Sequence, residues 1–293
     1  TTGNHNVALG YNALQSFTGG GGVAVGSGAA KLSTTASLFV AVGHEALNSN
    51  IIGYRNTAIG YRSLQLATGN LNTAVGAQTL QSTVEGLYNT AVGAQTMQLN
   101  TAGSGNTSMG TFAMSANTTG SNNVAIGMHS LQSSTAVGNT VAIGYRALCS
   151  NTSALGNTAV GAQALELCTT GGNNTALGFN AGKSITTGTY NTIIGANAGI
   201  TNNSGIGMTA VGYASLRVST GTNNTAIGSS TGYSLTTGGY NTIMGYQAMY
   251  SGLTISNSVA LGLQALWSST AAVTVTAVGS RALYSSTTAS QHT

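Results

Sequence analysis

The chain has 293 residues, only 3% of which are charged, and its formal net charge is +4. Disordered chains combine high net charge with low hydrophobicity. With 41% hydrophobic residues, this chain instead can bury a thin core made of small side chains.

The seven cationic residues are scattered along the chain and form no cluster. Binding to nucleic acid needs a concentrated basic patch that displaces counterions, so no nucleic-acid partner is expected. No apolar run approaches the roughly 20 residues that cross a bilayer, so no membrane insertion of this segment is expected.

A glycine that follows an aliphatic residue recurs from one end of the chain to the other; these are called the repeat glycines. Successive repeat glycines are 17 residues apart, except at three places where the gap is 16. They are Gly10, Gly26, Gly43, Gly60, Gly76, Gly93, Gly110, Gly127, Gly144, Gly161, Gly178, Gly195, Gly212, Gly228, Gly245, Gly262 and Gly279. Such regularity predicts that residues 1–293 form a single repeat domain of 17 tandem units.

Each unit begins with a predicted strand. The residue four before the glycine is Asn in eleven copies, and the residue three before it is Thr or Val. The residue two before it is Ala in fourteen copies, and the residue directly before it is aliphatic. A Thr-Ala-Val segment is typical of a short β-strand whose side chains alternate between two faces.

In the second half of the unit, the residue three after the glycine is small and the residue four after it is mostly Leu or Met. A segment of turn-forming residues follows, such as Thr169 to Asn174. A unit of this length is too short for two packed helices and cannot bury its own apolar face. The fold is therefore predicted to be an all-β solenoid of about 17 coils with 17 residues per coil.

The predicted repeat core combines residues around the repeat glycine with the Leu/Met ladder. Its members are Val75, Gly76, Leu80, Val92, Gly93, Ile126, Gly127, Ile143, Gly144 and Leu148. On each strand the Ala and the Gly share a face, and small residues favour close approach of another backbone. That face is predicted to contact another chain, and the Asn side chains are predicted to hydrogen-bond along the stack.

Residues able to carry out acid–base chemistry are few and lie at unrelated positions of the repeat. Glu45 stands two after its glycine, Glu166 five after, and Glu85 in the turn. The histidines lack the spacing of metal ligands; they are His5, His44, His129 and His292. The chain is therefore expected not to be an enzyme, with no catalytic residue, metal site or cofactor.

One stretch, Gly178 to Ser184, resembles a phosphate-binding loop with Lys183 in place. Such a loop needs four residues between its first glycine and the Gly-Lys-Ser, and here there are three. Because the stretch aligns with the other copies, we interpret it as one more repeat.

Cys149 and Cys168 lie five and seven residues after their glycines, on successive predicted coils. That is near enough for a disulfide. Two separate thiols are the favoured interpretation.

The position five residues after the glycine is the best functional candidate. It is polar in many copies, as in Gln65 and Gln81, but aromatic in the last four. These four residues are Tyr233, Tyr250, Trp267 and Tyr284. Stacked one coil apart, they would form either a platform for sugar rings or a protein partner, or a stabilising stack, which is the favoured alternative.

The segments NTAVGAQTL at 72–80 and NVAIGMHSL at 123–131 resemble the head repeats of YadA-type trimeric autotransporter adhesins and the repeats of phage-like tail fibres. The resemblance covers the whole chain, although the YadA-type unit is shorter. It implies a left-handed parallel β-roll, a homotrimer, and an extracellular role on a virion tail fibre or a bacterial cell surface. The chain is expected to be a segment of a longer fibre.

The leading hypothesis is thus a structural fibre shaft or adhesin head that mediates attachment, with a cell-surface receptor or glycan as partner. An ice-binding solenoid is the second hypothesis, because Thr stands three before the glycine in eleven of seventeen copies. An extracellular filament that assembles end to end is the third.

Overall fold

The protein, described by a computed structural model over residues 3–286 and 288–290, is an all-β solenoid. It has about 16 turns of about 17 residues each, which confirms the predicted solenoid and its coil length; about 17 coils were predicted. By its internal contacts the chain divides into two compact units, Thr1–Arg146 and Ala147–Thr293, which are described in turn.

The first unit consists of short strands that pair in parallel, each residue opposite its equivalent one coil away, such as Ala74 opposite Ala91. The strands are β1 (Val7–Leu9), β2 (Gly22–Val25), β3 (Phe39–Val42), β4 (Thr57–Ile59), β5 (Thr73–Val75), β6 (Thr90–Val92), β7 (Thr107–Met109), β8 (Val124–Ile126) and β9 (Val141–Ile143). This register places identical side chains above one another.

The second unit has the same parallel pairing, such as Ala159 opposite Ala176. Its strands are β10 (Thr158–Val160), β11 (Thr175–Leu177), β12 (Thr192–Ile194), β13 (Thr209–Val211), β14 (Thr225–Ile227), β15 (Thr242–Met244), β16 (Val259–Leu261), β17 (Ala271–Val273), β18 (Thr276–Val278) and β19 (Thr288–Ser290). Strands β17 and β19 form a separate two-stranded parallel sheet.

The strand side chains alternate between an interior and an exterior face in the opposite sense to the prediction. The Ala two before the repeat glycine is fully buried, as at Ala74 and Ala91, whereas the aliphatic residue after it is half-exposed. Val75, Val92, Ile126 and Ile143 were therefore wrongly assigned to the core. The interior has room for only one column of large side chains. The side chains opposite the Leu/Met column are therefore mostly small Ala residues.

The Leu/Met column fills that interior, as predicted. Leu80 and Leu148 are fully buried. Other members with no exposed surface are Leu47, Leu64, Met97, Met114, Leu131, Leu165, Leu216, Met249 and Leu266. Burying a side chain of this size contributes about 1.5–3 kcal/mol, so this ladder is the main hydrophobic support of each coil.

The repeat glycines occupy a tight position between coils. Gly76, Gly93, Gly127 and Gly144 are only partly buried, and Gly76 has a φ of +134°. A Cβ there would lie 2.5 Å from the carbonyl oxygen of Gly93. The close approach inferred from the small residues is thus real, but it is made by the next coil of the same chain. The predicted contact of the Ala/Gly face with another chain was wrong.

Asparagines four before the repeat glycine form a buried hydrogen-bonded column, as predicted. The Asn89 amide nitrogen donates to Oδ1 of Asn72 (3.1 Å) and to the Gly103 carbonyl (2.8 Å). In return, Oδ1 of Asn89 accepts the backbone N–H of Asn106 at 3.0 Å. Because each amide has partners on both neighbouring coils, the column satisfies its buried polar atoms and sets the register of the stack.

Candidate functional site

One exposed surface that the repeat creates is called the outer face. It consists of the side chains one and three residues before each repeat glycine. In the first unit Met109 is 49% exposed and its neighbour Thr107 is exposed. In the second unit Leu177 and Met244 are each 47% exposed. Each unit therefore presents two parallel columns, one aliphatic and one of Thr or Val.

Sequence reasoning missed this surface, although a signal was available. Asn and Ala stand two residues apart on the strand, so they point to the same side. A column of Asn amides that bond to one another is favoured in a dry interior, where water does not compete. That side is therefore the interior, and the aliphatic and Thr positions lie outside.

The four aromatic residues predicted to stack do so. The ring centroids of Tyr233 and Tyr250 are 4.9 Å apart, those of Tyr250 and Trp267 5.8 Å, and those of Trp267 and Tyr284 5.2 Å. The planes of all three pairs lie within 14° of parallel. All four side chains are half-exposed. We call this set the aromatic ladder.

A guanidinium group lies at each end of the aromatic ladder. Arg217 stands in the same column one coil earlier, 5.3 Å from the Tyr233 ring centroid, and Arg281 lies 5.6 Å from that of Tyr284. Cations over the face of a tyrosine ring contribute about 0.5–1 kcal/mol at exposed sites.

This arrangement distinguishes between the two interpretations of the ladder. Both faces of Tyr250 and Trp267 are covered by neighbouring rings. A sugar ring stacks on an aromatic face. Tyr250 and Trp267 therefore offer a sugar only the edges of their rings. The geometry favours a stabilising stack over a binding platform.

The same column carries ionic and amide pairs in other coils. In the second unit, Lys183 Nζ lies 3.2 Å from Glu166 Oε2, which also accepts a hydrogen bond from Gln163 at 2.9 Å. Lys183 of the loop-like stretch is thus part of an ion pair between coils. In the first unit, Gln81 donates to Gln65 at 2.9 Å.

The first unit also contains an ion pair. Arg62 Nε donates to Glu45 Oε2 at 2.7 Å, and this bond raises the pKa of Arg62 above its ordinary value. The ring of His129 stacks on Phe112 at 5.3 Å. His292 lies outside the described residues. Within the described residues no three His, Cys, Asp or Glu side chains come together as a metal-binding group.

Both cysteines are buried. Cys168 donates from Sγ to the Gly171 carbonyl at 3.1 Å, and burial raises its pKa from 9.0 to about 11. Asn151 makes the equivalent bond one coil earlier, to the carbonyl of Ala154 at 3.0 Å. Cys168 therefore occupies a structural position where other coils carry Asn.

Comparison with the models of known protein families and with characterised proteins found no match. Over the part of the chain that the structure describes, no helix has the length and hydrophobicity needed to cross a bilayer.

Proposed function

We propose that this chain is a structural segment of an extracellular fibre, a shaft or adhesin head, in which three copies associate through their outer faces. The observation that carries the proposal is the apolar column that each unit leaves half-exposed or exposed. Soluble monomers rarely expose large contiguous apolar patches, and those that occur mark interaction sites.

The composition of the outer face supports self-association. Aliphatic side chains alternate with Thr or Val and carry no charge. Equivalent residues recur at the strand spacing of about 4.8 Å, so copies aligned side by side would repeat the same favourable contact at every coil. Many weak and identical contacts suit a rigid shaft that holds a recognition element away from a virion or a cell surface. The resemblance to YadA-type heads and tail-fibre repeats points to the same role.

The test is the molar mass in solution, measured by light scattering on the wild type and on the double variant Ile59→Lys/Met109→Lys. Both side chains are exposed in the single chain, so the substitutions leave the fold intact. Two buried cations would prevent association, and the variant is expected to be a monomer while the wild type is a trimer. Ala102→Lys, at an exposed residue outside the outer face, is the control and should remain a trimer. A wild-type monomer would contradict the proposal.

Ice binding is the second candidate, because the Thr column lies on the outer face, where Thr175 and Thr242 are exposed and the threonines between them are partly exposed. In the second unit six consecutive strands carry Thr at that position in register. They are Thr158, Thr175, Thr192, Thr209, Thr225 and Thr242. Thermal hysteresis that decreases when Thr192 is replaced by Lys would support this candidate, and its absence in the wild type would exclude it.

A further inference from the structure

A small cavity of about 270 Å³ opens on the first unit, where one coil lacks the side chains that its neighbours carry. Its walls include Tyr11 and His44, each of which directly follows a repeat glycine. The coil between them has Ser27 and Gly28 instead of large side chains. We call this cavity the ring slot.

The width of the ring slot follows from the coil spacing. Rings at this position in adjacent coils stack on one another, as His44 and Tyr61 do at a centroid distance of 5.6 Å. Tyr11 and His44 are two coils apart, which corresponds to roughly 9.6 Å at the usual strand spacing. One ring therefore fits between them at stacking distance from both. Tyr11, which is 78% exposed, leaves its ring accessible.

The polar groups at the slot are held in place by hydrogen bonds. Glu45 Oε2 accepts from Arg62 at 2.7 Å and from Gln65 at 3.0 Å, and a carboxylate has about four lone-pair sites, so it can accept from a ligand as well. The Asn48 amide donates to the Gly28 carbonyl at 3.0 Å. Lys31 also lines the slot and supplies an ammonium donor. Groups fixed before binding reduce the entropy lost when a ligand is ordered.

We propose that the ring slot binds one pyranose ring of a saccharide. A pyranose presents C–H groups on its faces, which suit Tyr11 and His44, and a rim of hydroxyls that both donate and accept. The carboxylate of Glu45, the ammonium of Lys31 and the amide of Asn48 match that rim. The volume lies just below the 300–1,000 Å³ of pockets for drug-sized ligands, which suits a single ring.

This inference is independent of the fibre proposal. The slot uses positions one, two, five and six after the repeat glycine, whereas the outer face uses positions before it. Saccharide binding can therefore be present in a monomer and absent in a trimer.

The experiment is saturation-transfer difference NMR of the full chain with methyl glycosides of glucose, galactose, N-acetylglucosamine and glucuronic acid at millimolar concentration. The wild type should transfer saturation to the ring protons of at least one glycoside. Tyr11→Ala should weaken its affinity about tenfold, the upper range of one aromatic contact.

The decisive variant is Ser27→Tyr, which fills the slot with the residue found at the same repeat position at Tyr61 and Tyr145. It should abolish the transfer. Ala94→Tyr is the matched control, because it also introduces a tyrosine at an exposed position of the same column, between Ala77 and Thr111. It should bind like the wild type.

A second filling variant, Gly28→Asn, covers the case in which Ser27→Tyr does not fold. Gly28 has a φ of +67°, and Asn12 at the equivalent position of the preceding coil has 58°. A Cβ at Gly28 meets Asn48 Nδ2 at 3.4 Å and Glu45 Cγ at 3.5 Å, so it fits and reduces the slot. The proposal would be overturned if no glycoside received saturation from the wild type. It would also be overturned if the folded filling variants transferred saturation as well as the wild type, or if the wild type bound adenosine in preference to all four sugars.

Discussion

At the scale of single residues, the repeat glycine carries two separate requirements. Its positive φ disfavours any side chain, and in most coils the next coil also occupies the space that a Cβ would need. Gly161 has both features, with a φ of +132° and a Cβ position 2.5 Å from the Gly178 carbonyl oxygen. Gly279 has a φ of +122°, but no described atom lies within 4 Å of its Cβ position.

Gly161→Ala is therefore expected to destabilise the protein more than Gly279→Ala. Backbone strain costs about 1–3 kcal/mol and overpacking adds about 1–3 kcal/mol, so we expect a loss of about 4 kcal/mol at Gly161. At Gly279 only the strain remains, about 2 kcal/mol. Urea denaturation followed by circular dichroism measures both. Equal losses would show that contact between coils is not what excludes a side chain.

Cys168 also illustrates a requirement at one position, since other coils place Asn there. Cys168→Asn is expected to keep or raise the free energy of unfolding, by up to about 1 kcal/mol, because an amide donates a stronger hydrogen bond than a thiol. The comparison is made at pH 7 by urea denaturation. A loss of more than about 2 kcal/mol would show that the amide does not fit this coil.

The Cys168 thiol makes a defined contribution to pH dependence. Its pKa is about 11 in the folded protein and 9.0 ordinarily, so between these values the unfolded chain releases the proton first. The stabilising effect of the buried neutral thiol is complete below pH 9 and is lost as the pH rises towards 11. The Cys168→Asn variant should lose less stability than the wild type over that interval; identical pH profiles would contradict this.

At the scale of elements, the aromatic ladder is the clearest case of a column that stabilises its unit. Trp267 stacks on both neighbours and is the one tryptophan of the chain. Aromatic pairs contribute about 0.5–1.5 kcal/mol each beyond their buried area, so Trp267→Ala is expected to cost about 3 kcal/mol. Trp267→Tyr keeps both stacks and should cost less than about 1 kcal/mol. If urea denaturation shows the two variants to be equally stable, the stack does not stabilise the unit.

Some features of the strands and columns could be predicted from the sequence, and one could not. The strand position, the Leu/Met column, the Asn column and the ladder follow from residue type and spacing alone. Which face of each strand is buried does not follow from the Thr-Ala-Val pattern, because this pattern alternates equally well in either sense. The Asn column on the Ala side was the one available signal, and the buried Ala74 and the exposed Met109 show that this side is the interior.

At the scale of the whole molecule, a solenoid is a sum of coils that contact only their neighbours. Deleting residues 90–106 removes one complete repeat and joins Asn89 to Thr107, which is the equivalent of the deleted Thr90. The shortened protein should fold, with its melting temperature lowered by only a few degrees. Deleting 90–97 breaks the register and should prevent folding of the first unit, as measured by circular dichroism. Equal effects of the two deletions would contradict the one-dimensional description.

The amino-acid sequence by itself determined the architecture, because a glycine at an almost constant spacing, flanked by strand and turn residues, permits only stacked coils. It also determined the ladders, since parallel register places equal repeat positions above one another. The tertiary structure decided which strand face is buried, since the Thr-Ala-Val pattern fits either sense, and this makes the outer aliphatic column the candidate contact between chains. It also showed that Ser27 and Gly28 open a slot between Tyr11 and His44. Both depend on the space available inside and between coils, which spacing along the chain does not specify.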